Sequence, residues 1–340
     1  MEIPYYPGCT LKIKAMALDQ STVAAFGALG VSLKELPRWT CCGAVYPLTA
    51  KKIAGLAAPI RILREAKMMG SDTVVTACAF CYNVLKRANK DFTADPLRKK
   101  RINAYLADDV RVDETTGEKI REWPEYAGAE DVKVLHLLEF LRDRIGFHKI
   151  PVKKPLRGLR VAPYYGCTLL RPAKEIGLDD PERPTIMHDL LRSLGAEPID
   201  FPFLNECCAS FLSLTEPERA LRPSYLIMSS AEAEGAQAIA VSCPLCYYNM
   251  EARQLEIRER YPDFKGMPVF YFTELLALGL GVTLDQAIGW KEHSVDVRRL
   301  LESAGLIDKG DAAPSQGPCR AKEEEPGRAR PRGAAPVDAA

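Results

Sequence analysis

Pro37-Arg38-Trp39-Thr40-Cys41-Cys42-Gly43-Ala44 sets two cysteines side by side, and the reading of the whole chain turns on what that pair does. Adjacent cysteines do not readily bond to each other, because the usual Cα separation across a disulfide exceeds the span of one peptide unit. Their thiolates can, however, point into one metal site. Working outward, 31 residues separate Cys9 from the pair, and 35 more separate the pair from the C-x-x-C of Cys78 and Cys81. The same order then recurs: Cys167, Cys207-Cys208 after 39 residues, and Cys243 and Cys246 after 34. A five-cysteine set repeated in order and approximate spacing points to an internal duplication.

The duplication extends beyond cysteine. Pro163-Tyr164-Tyr165-Gly166-Cys167-Thr168-Leu169 echoes Pro4-Tyr5-Tyr6-Pro7-Gly8-Cys9-Thr10-Leu11 with one residue fewer, and Phe270 to Leu276 echoes Val134 to Phe140. Around these anchors the periodicity reads as strand, turn, helix. Ile3 to Tyr6, Val31 to Leu36, Asp72 to Thr76, Glu197 to Phe201 and Ala238 to Ser242 are short and apolar or β-branched, as strands are. Asp19 to Leu29, Leu48 to Met69, a segment from about Tyr82, Val132 to Ile145 and His293 to Ala304 carry helical spacing. The cysteines thus fall at strand ends, where open α/β sheets assemble their sites. Asp108 to Asp131 is polar and reads as an inserted hairpin or loop, and Lys149 to Pro155, rich in proline and lysine, as a linker.

A chain of 340 residues has room for two domains. With 46 basic and 45 acidic side chains the net charge is +1, so no global field draws it to nucleic acid or to an anionic membrane. Met1-Glu2-Ile3-Pro4-Tyr5-Tyr6 shows neither a basic nor an apolar leader region, and no apolar run approaches the ~18 residues of a membrane span, which predicts a soluble, cytoplasmic protein. In that setting eleven cysteines bind metal or do redox chemistry rather than pair as disulfides. From Lys309 onward the chain lacks large apolar residues and is expected to be a disordered tail, with Cys319 outside both sets.

Thiolates suit zinc, copper(I) and, above all, iron–sulfur clusters. A structural zinc site closes with four ligands, which leaves one thiolate over in each copy. A thioredoxin-like reading of each C-x-x-C accounts for two cysteines and ignores three.

Taken together, Tyr6-Pro7-Gly8-Cys9-Thr10, Cys41-Cys42-Gly43-Ala44, Cys78-Ala79-Phe80-Cys81, Gly166-Cys167-Thr168, Cys207-Cys208 and Cys243-Pro244-Leu245-Cys246 resemble the cysteine-rich CCG domain that occurs in pairs in the B subunit of heterodisulfide reductase. The resemblance covers roughly residues 1–305. It implies an α/β fold of two pseudo-equivalent Rossmann-like CCG domains over residues 1–148 and 158–308, a linker over 149–157 and a tail over 309–340. It also implies two [4Fe-4S] clusters of a non-cubane type, one on Cys9, Cys41, Cys42, Cys78 and Cys81 and the other on Cys167, Cys207, Cys208, Cys243 and Cys246. The function so implied is that of an oxidoreductase component that cleaves or forms the disulfide of a small molecule at the cluster irons, with no side chain assigned to catalysis. The partners implied are an iron–sulfur electron-transfer subunit, like the C subunit of heterodisulfide reductase, and a flavoprotein subunit like its A subunit. A non-catalytic electron-relay or structural metal-binding subunit is the alternative. One position departs from the pattern: the glycine that follows the pair is Gly43 in the first copy but Ala209 in the second.

Other residues have plainer readings. His136, His148, His188 and His293 lie outside the cysteine motifs and read as surface or helix residues. Arg87, Lys90, Arg98, Lys99, Lys100 and Arg101 read as a solvated helix face. Gly279-Leu280-Gly281 lacks the third glycine and the preceding strand of a dinucleotide site.

Overall fold

Thr73–Thr76 and Ala238–Val241 are buried along their whole length, as the central strands of a parallel sheet must be when helices cover both faces. The computed structural model describes residues 1–44, 52–107, 111–112, 119–120 and 125–308. Along the first half run β1 (Glu2–Tyr5), β2 (Ser32–Glu35), β3 (Thr73–Thr76), the antiparallel pair β4 (Arg111–Val112) and β5 (Lys119–Ile120), and β6 (Lys133–His136). Along the second run β7 (Arg160–Pro163), β8 (Glu197–Pro198), β9 (Ala238–Val241) and β10 (Val269–Tyr271). One parallel sheet has the order β2-β1-β3-β6 and the other β8-β7-β9-β10, so the two halves share one topology strand for strand. The registers agree as well: Thr76 faces His136 across β3 and β6, and Val241 faces Tyr271 across β9 and β10.

The helices of the first half are α1 (Cys9–Ile13), α2 (Met16–Ala28), α3 (Lys52–Met68), α4 (Ala79–Thr93), α5 (Pro96–Ala107) and α6 (Leu137–Phe140). Those of the second are α7 (Ala173–Ile176), α8 (Ile186–Ser193), α9 (Pro217–Ala233), α10 (Pro244–Tyr247), α11 (Gln254–Arg260), α12 (Phe272–Gly279), α13 (Leu284–Ala287) and α14 (Val297–Ser303). In each sheet the chain leaves the first strand for one neighbour and returns on the other side. This makes the carboxyl ends of β1 and β3, and of β7 and β9, a topological switch point at which such folds open a crevice.

Three expectations change. Val132 to Ile145 is not one helix, because Lys133–His136 pairs with β3 as a strand before α6 and a π-helical turn over Leu141–Ile145 take over. The side chain of His136 makes that switch: its Nδ1 accepts the Leu138 N–H at 3.2 Å while its Nε2 meets the Ala77 carbonyl at 3.0 Å. The last helix begins only at Val297, capped by Asp296, since the residues before it are drawn into the interior. The expected strand over Glu197 to Phe201 shortens to two residues. Leu48 to Lys51 of the second expected helix, much of Asp108 to Asp131, and the tail with Cys319 lie outside the described residues.

A single apolar core runs from Ile3 to Ile307 through both halves. Helix α2 of the first half packs on α12 of the second, and at that seam the Ser21 and Thr273 hydroxyls meet at 2.7 Å in full burial. Nearby, Asn83 Nδ2 donates to the carbonyls of Thr168 at 2.7 Å and Arg171 at 2.6 Å. The Ala79 N–H reaches the Ser242 carbonyl at 3.4 Å, joining the two C-x-x-C segments. A buried hydroxyl stripped of its partner costs the full desolvation of the group that remains. Ser21→Ala is expected to lower unfolding stability by about 2 kcal/mol and Thr273→Val by less, because the Ser21 hydroxyl keeps its bond to the Ala17 carbonyl at 2.6 Å, as urea titrations will read.

Candidate metal centre

Gly8 is the residue that lets β1 deliver a sulfur into the crevice. Its φ of +80° turns the chain from strand into α1, and a Cβ built there would stand 2.8 Å from Cys81 Sγ. Gly166 repeats the turn at φ +63°, with its built Cβ 3.3 Å from Cys246 Sγ. Only a residue without a side chain leaves the sulfur of the C-x-x-C that room at a left-handed angle.

The other loops end on the same place. Cys78 caps the start of α4, where its Sγ accepts the Cys81 N–H at 3.4 Å. Cys9 Sγ lies 3.9 Å from Cys41 Sγ, and thiol-to-thiol hydrogen bonds continue from Cys41 to Cys42, from Cys42 to Cys81 and from Cys81 to Cys78. The five cysteines of the first set therefore form one file of touching thiols. In the second half Cys167 Sγ is 3.7 Å from Cys207 Sγ, Cys208 Sγ is 3.4 Å from Cys246 Sγ, and Cys246 bonds on to Cys243. All ten are free thiols. Cys41 alone is exposed, Cys9, Cys167 and Cys207 are half-buried, and the remaining six are buried.

Two tyrosines that sequence reasoning passed over hold the paired-cysteine loops. The Tyr6 hydroxyl donates to the Thr40 carbonyl at 2.9 Å and the Tyr164 hydroxyl to the Glu206 carbonyl at 2.7 Å, each acceptor being the residue just before its pair. The signal that marks them is their shared place, since both stand two residues before the turn glycine. Trp39 adds an edge-on contact to Tyr6, with ring centroids 5.9 Å apart.

Gly43 and Ala209 both adopt the left-handed conformation, at φ +74° and +59°, and Ala209 is the one non-glycine among the described residues to do so. The glycine missing from the second copy is thus a backbone requirement that alanine meets under strain, held by the Ala209 N–H donating to Cys207 Sγ at 3.3 Å. Hydrogen bonds from Cys41 and then Cys81 draw Cys42 down to about 5, and the bond to Cys42 pushes Cys41 up to about 12. In the second half the bond from Cys167 draws Cys207 down to about 6. One acidic thiol therefore sits at the adjacent pair in each half, and thiolate is the form that binds metal.

Of the four histidines, none joins the sulfurs, and three are interior rather than surface residues. His136 and His188 are buried, the latter between the Tyr165 hydroxyl at 2.7 Å and Asp200 at 2.8 Å, and the His293 side chain is enclosed among carboxylates. Among the described residues no group of three or more His, Cys, Asp or Glu is arranged to hold a metal ion. The thiols instead gather Sγ to Sγ, in one file in the first half and in two groups in the second. Five soft donors per half, free of carboxylate or imidazole and packed on a glycine whose Cβ would fill the space, fit a sulfur-bridged iron cluster in donor chemistry and in number.

A cysteine-rich domain model, CCG, matches residues 3–86 and again 161–251. The 8-methylmenaquinol:fumarate reductase membrane anchor subunit of Wolinella succinogenes is 29% identical over 299 residues, which is 88% of this chain and 99% of that one. The B subunit of the ferredoxin/F(420)H(2)-dependent CoB-CoM heterodisulfide reductase of Methanosarcina acetivorans is 26% identical over 91% of this chain and 99% of its own. A protein of Archaeoglobus profundus described as like the heterodisulfide reductase B subunit is 27% identical over 87% and 97%. Among solved structures, a hypothetical protein from Helicobacter pylori shares the fold at TM-score 0.66 and 14% identity, over 86% of this chain and 51% of that one, so this chain spans about half its length.

A non-glycine residue in the left-handed region costs ~1–2 kcal/mol, of which glycine's greater freedom when unfolded returns a part. Ala209→Gly is expected to stabilise the protein by about 1 kcal/mol, and Gly43→Ala to destabilise it by a similar amount, both measured by chemical unfolding.

Proposed function

This chain belongs to the cysteine-rich CCG domain family and is a relative of the heterodisulfide reductase B subunit, and from that premise we propose that it is the iron–sulfur component of a redox complex at which a small-molecule disulfide is cleaved or formed. The observation that carries this is the repeated gathering of five thiols, joined in one file in the first half and, in the second, as Cys167 with Cys207 and Cys208 with Cys246 and Cys243. In this reading Cys9, Cys41, Cys42, Cys78 and Cys81 hold one non-cubane [4Fe-4S] cluster, and Cys167, Cys207, Cys208, Cys243 and Cys246 hold the other. Such clusters, when bound, supply one-electron exchange and Lewis-acidic iron to a sulfur that is gaining negative charge.

The chain's own residues do the rest. Buried Cys42, Cys78, Cys81, Cys208, Cys243 and Cys246 keep water from the inner side of each site, and exposed Cys41 marks the outer side. Tyr6 and Tyr164 fix the adjacent pairs, and the Ala79–Ser242 contact fixes the two C-x-x-C segments against each other. Both halves of a disulfide are thereby met at once, which turns two encounters into one positioned event. The substrate site lies between the turns after Cys9 and Cys167. Electrons come from an iron–sulfur partner like the C subunit of heterodisulfide reductase, fed by a flavoprotein like its A subunit.

A second reading, as an electron relay seated on a membrane surface, has its own observations. The Wolinella relative is a membrane anchor subunit, and Ile13, Phe211 and Leu214 stand 68%, 72% and 96% exposed, close in sequence to Cys9 and Cys208. No helix among the described residues is long and apolar enough to cross a membrane, so such seating would use surface side chains.

Protein purified without oxygen after iron-replete expression is expected to hold iron and acid-labile sulfide for two clusters, and Cys246→Ser to lose about half of the iron while keeping its fold. Variant and parent are then assayed for disulfide reduction with an artificial donor, an activity that Cys246→Ser is expected to lose. Stoichiometric zinc without sulfide would refute the cluster reading. Clusters without any disulfide turnover, together with flotation on phospholipid vesicles that Phe211→Ser/Leu214→Ser abolishes, would favour the membrane-relay reading.

A further inference from the structure

Two buried carboxylates, a third that is half-buried and one enclosed imidazole meet where the strap of residues 288–296 packs against α2 and α12. Glu251 is well supplied: its Oε1 accepts the Ser294 N–H at 2.6 Å and hydroxyl at 3.0 Å, and its Oε2 accepts the Val269 N–H at 2.8 Å. Glu274 accepts the N–H groups of Tyr271 and Gly289, each at 2.8 Å, and faces His293 Nε2 at 3.4 Å. Glu292 has one donor, the Ala17 N–H at 2.7 Å on Oε1, while its Oε2 is buried with no partner. One imidazolium cannot balance three carboxylates, and the carboxylate with a bare buried oxygen is the one that takes the proton. Burial, with Glu274 beside it, pushes Glu292 up to about 7 against the Ala17 N–H and His293. Burial works against charge on His293, but Glu274 and Glu251 outweigh it and hold the imidazole protonated.

Two further unpartnered groups adjoin this cluster. The Tyr271 hydroxyl and the Tyr247 hydroxyl are buried without hydrogen bonds, and their rings stack at 4.2 Å. Tyr271 ends the strand beside the one that leads into Cys243, and Tyr247 follows Cys246 directly. The Tyr247 ring also meets the His293 ring edge-on at 6.0 Å, which sets the carboxylate cluster one tyrosine ring away from Cys246, and burial first, then Glu292 and Glu274, raise Tyr271. On the outer side Lys291 is exposed and Met16 half-exposed, which places Glu292 between solvent and interior.

We propose that Glu292 is the proton reservoir for the paired cysteine centres. The inference rests on the disulfide reading, in which one disulfide takes two electrons from the iron–sulfur partner and two protons to give two thiols. As the S–S bond breaks, the O–H of the Glu292 carboxyl releases its proton inward, toward the unpartnered hydroxyls of Tyr271 and Tyr247. The carboxylate left behind regains a proton from solvent before the second thiolate is neutralised.

The test uses the full, iron-loaded chain and reduced-minus-oxidised infrared difference spectra in H2O and D2O, with the midpoint potential followed over about pH 6 to 8. A deuterium-sensitive carboxylic acid band that changes on reduction, and that Glu292→Gln removes along with the pH dependence of the potential, is the expected result. Tyr271→Phe is expected to keep the band and lose its response to reduction. If Glu292→Gln fails to retain iron, the Tyr271→Phe result decides alone. A band that persists in Glu292→Gln, or iron that is reduced in the parent with no carboxyl change, overturns the proposal while leaving the cluster reading intact. A parent chain without iron overturns the cluster reading and this proposal together, and the iron assay tells the two failures apart.

Discussion

Five thiols in each half must come into contact from three separate strand ends, and this demand explains most of the local structure. Sulfur is large and a left-handed turn excludes most side chains, so Gly8 and Gly166 occupy the approach to the C-x-x-C sulfur. The paired cysteines come in on a loop without regular hydrogen bonding, and a buried tyrosine hydroxyl supplies the bond that the backbone cannot. The parallel sheet provides the geometry: its carboxyl ends converge at the switch point, and the burial of β3 and β9 on both faces makes those ends stiff.

The cysteines are legible in the sequence because metal chemistry constrains type and spacing together. So are the central strands, whose β-branched and apolar runs leave little choice. What cannot be read there depends on distant partners. Lys133 to His136 carries apolar residues compatible with either period, and only pairing with β3 settles it as strand. Ser21 and Thr273 look like ordinary helix residues until the two helices meet. His293 reads as a surface or helix residue, yet the strap carries it and Glu292 inward, since their partners Glu251, Glu274 and Ala17 come from three other elements. Ala209 is recognisable as a departure, but its left-handed angle belongs to the folded loop.

The duplicated halves also show where equivalence has been given up. Lys86 in the first half bonds the Tyr82 hydroxyl at 2.6 Å and Glu139 at 3.4 Å, which sets a cation against that carboxylate. The corresponding residue in the second half is Glu251, an anion, and the charge that balances Glu274 comes from His293 instead. His136 and Tyr271 likewise occupy the same place at a strand end with different chemistry. The cysteines of both copies are kept while the polar surroundings of one have been rebuilt around the strap.

That strap bears on the order in which the protein is made. Ala17 on α2 gives its N–H to Glu292, 275 residues later in the chain, and Ser21 finds Thr273 after 252. A ribosome that has released the first half has therefore exposed a finished sheet whose outer helix still lacks its cover. The uncovered face of α2 stays open until α12 and the strap emerge, and contacts so distant along a chain close slowly. Synthesis thus leaves an interval in which one face of α2 stands without its partner helix, and the interior of the first half is completed only by residues near the end of the second.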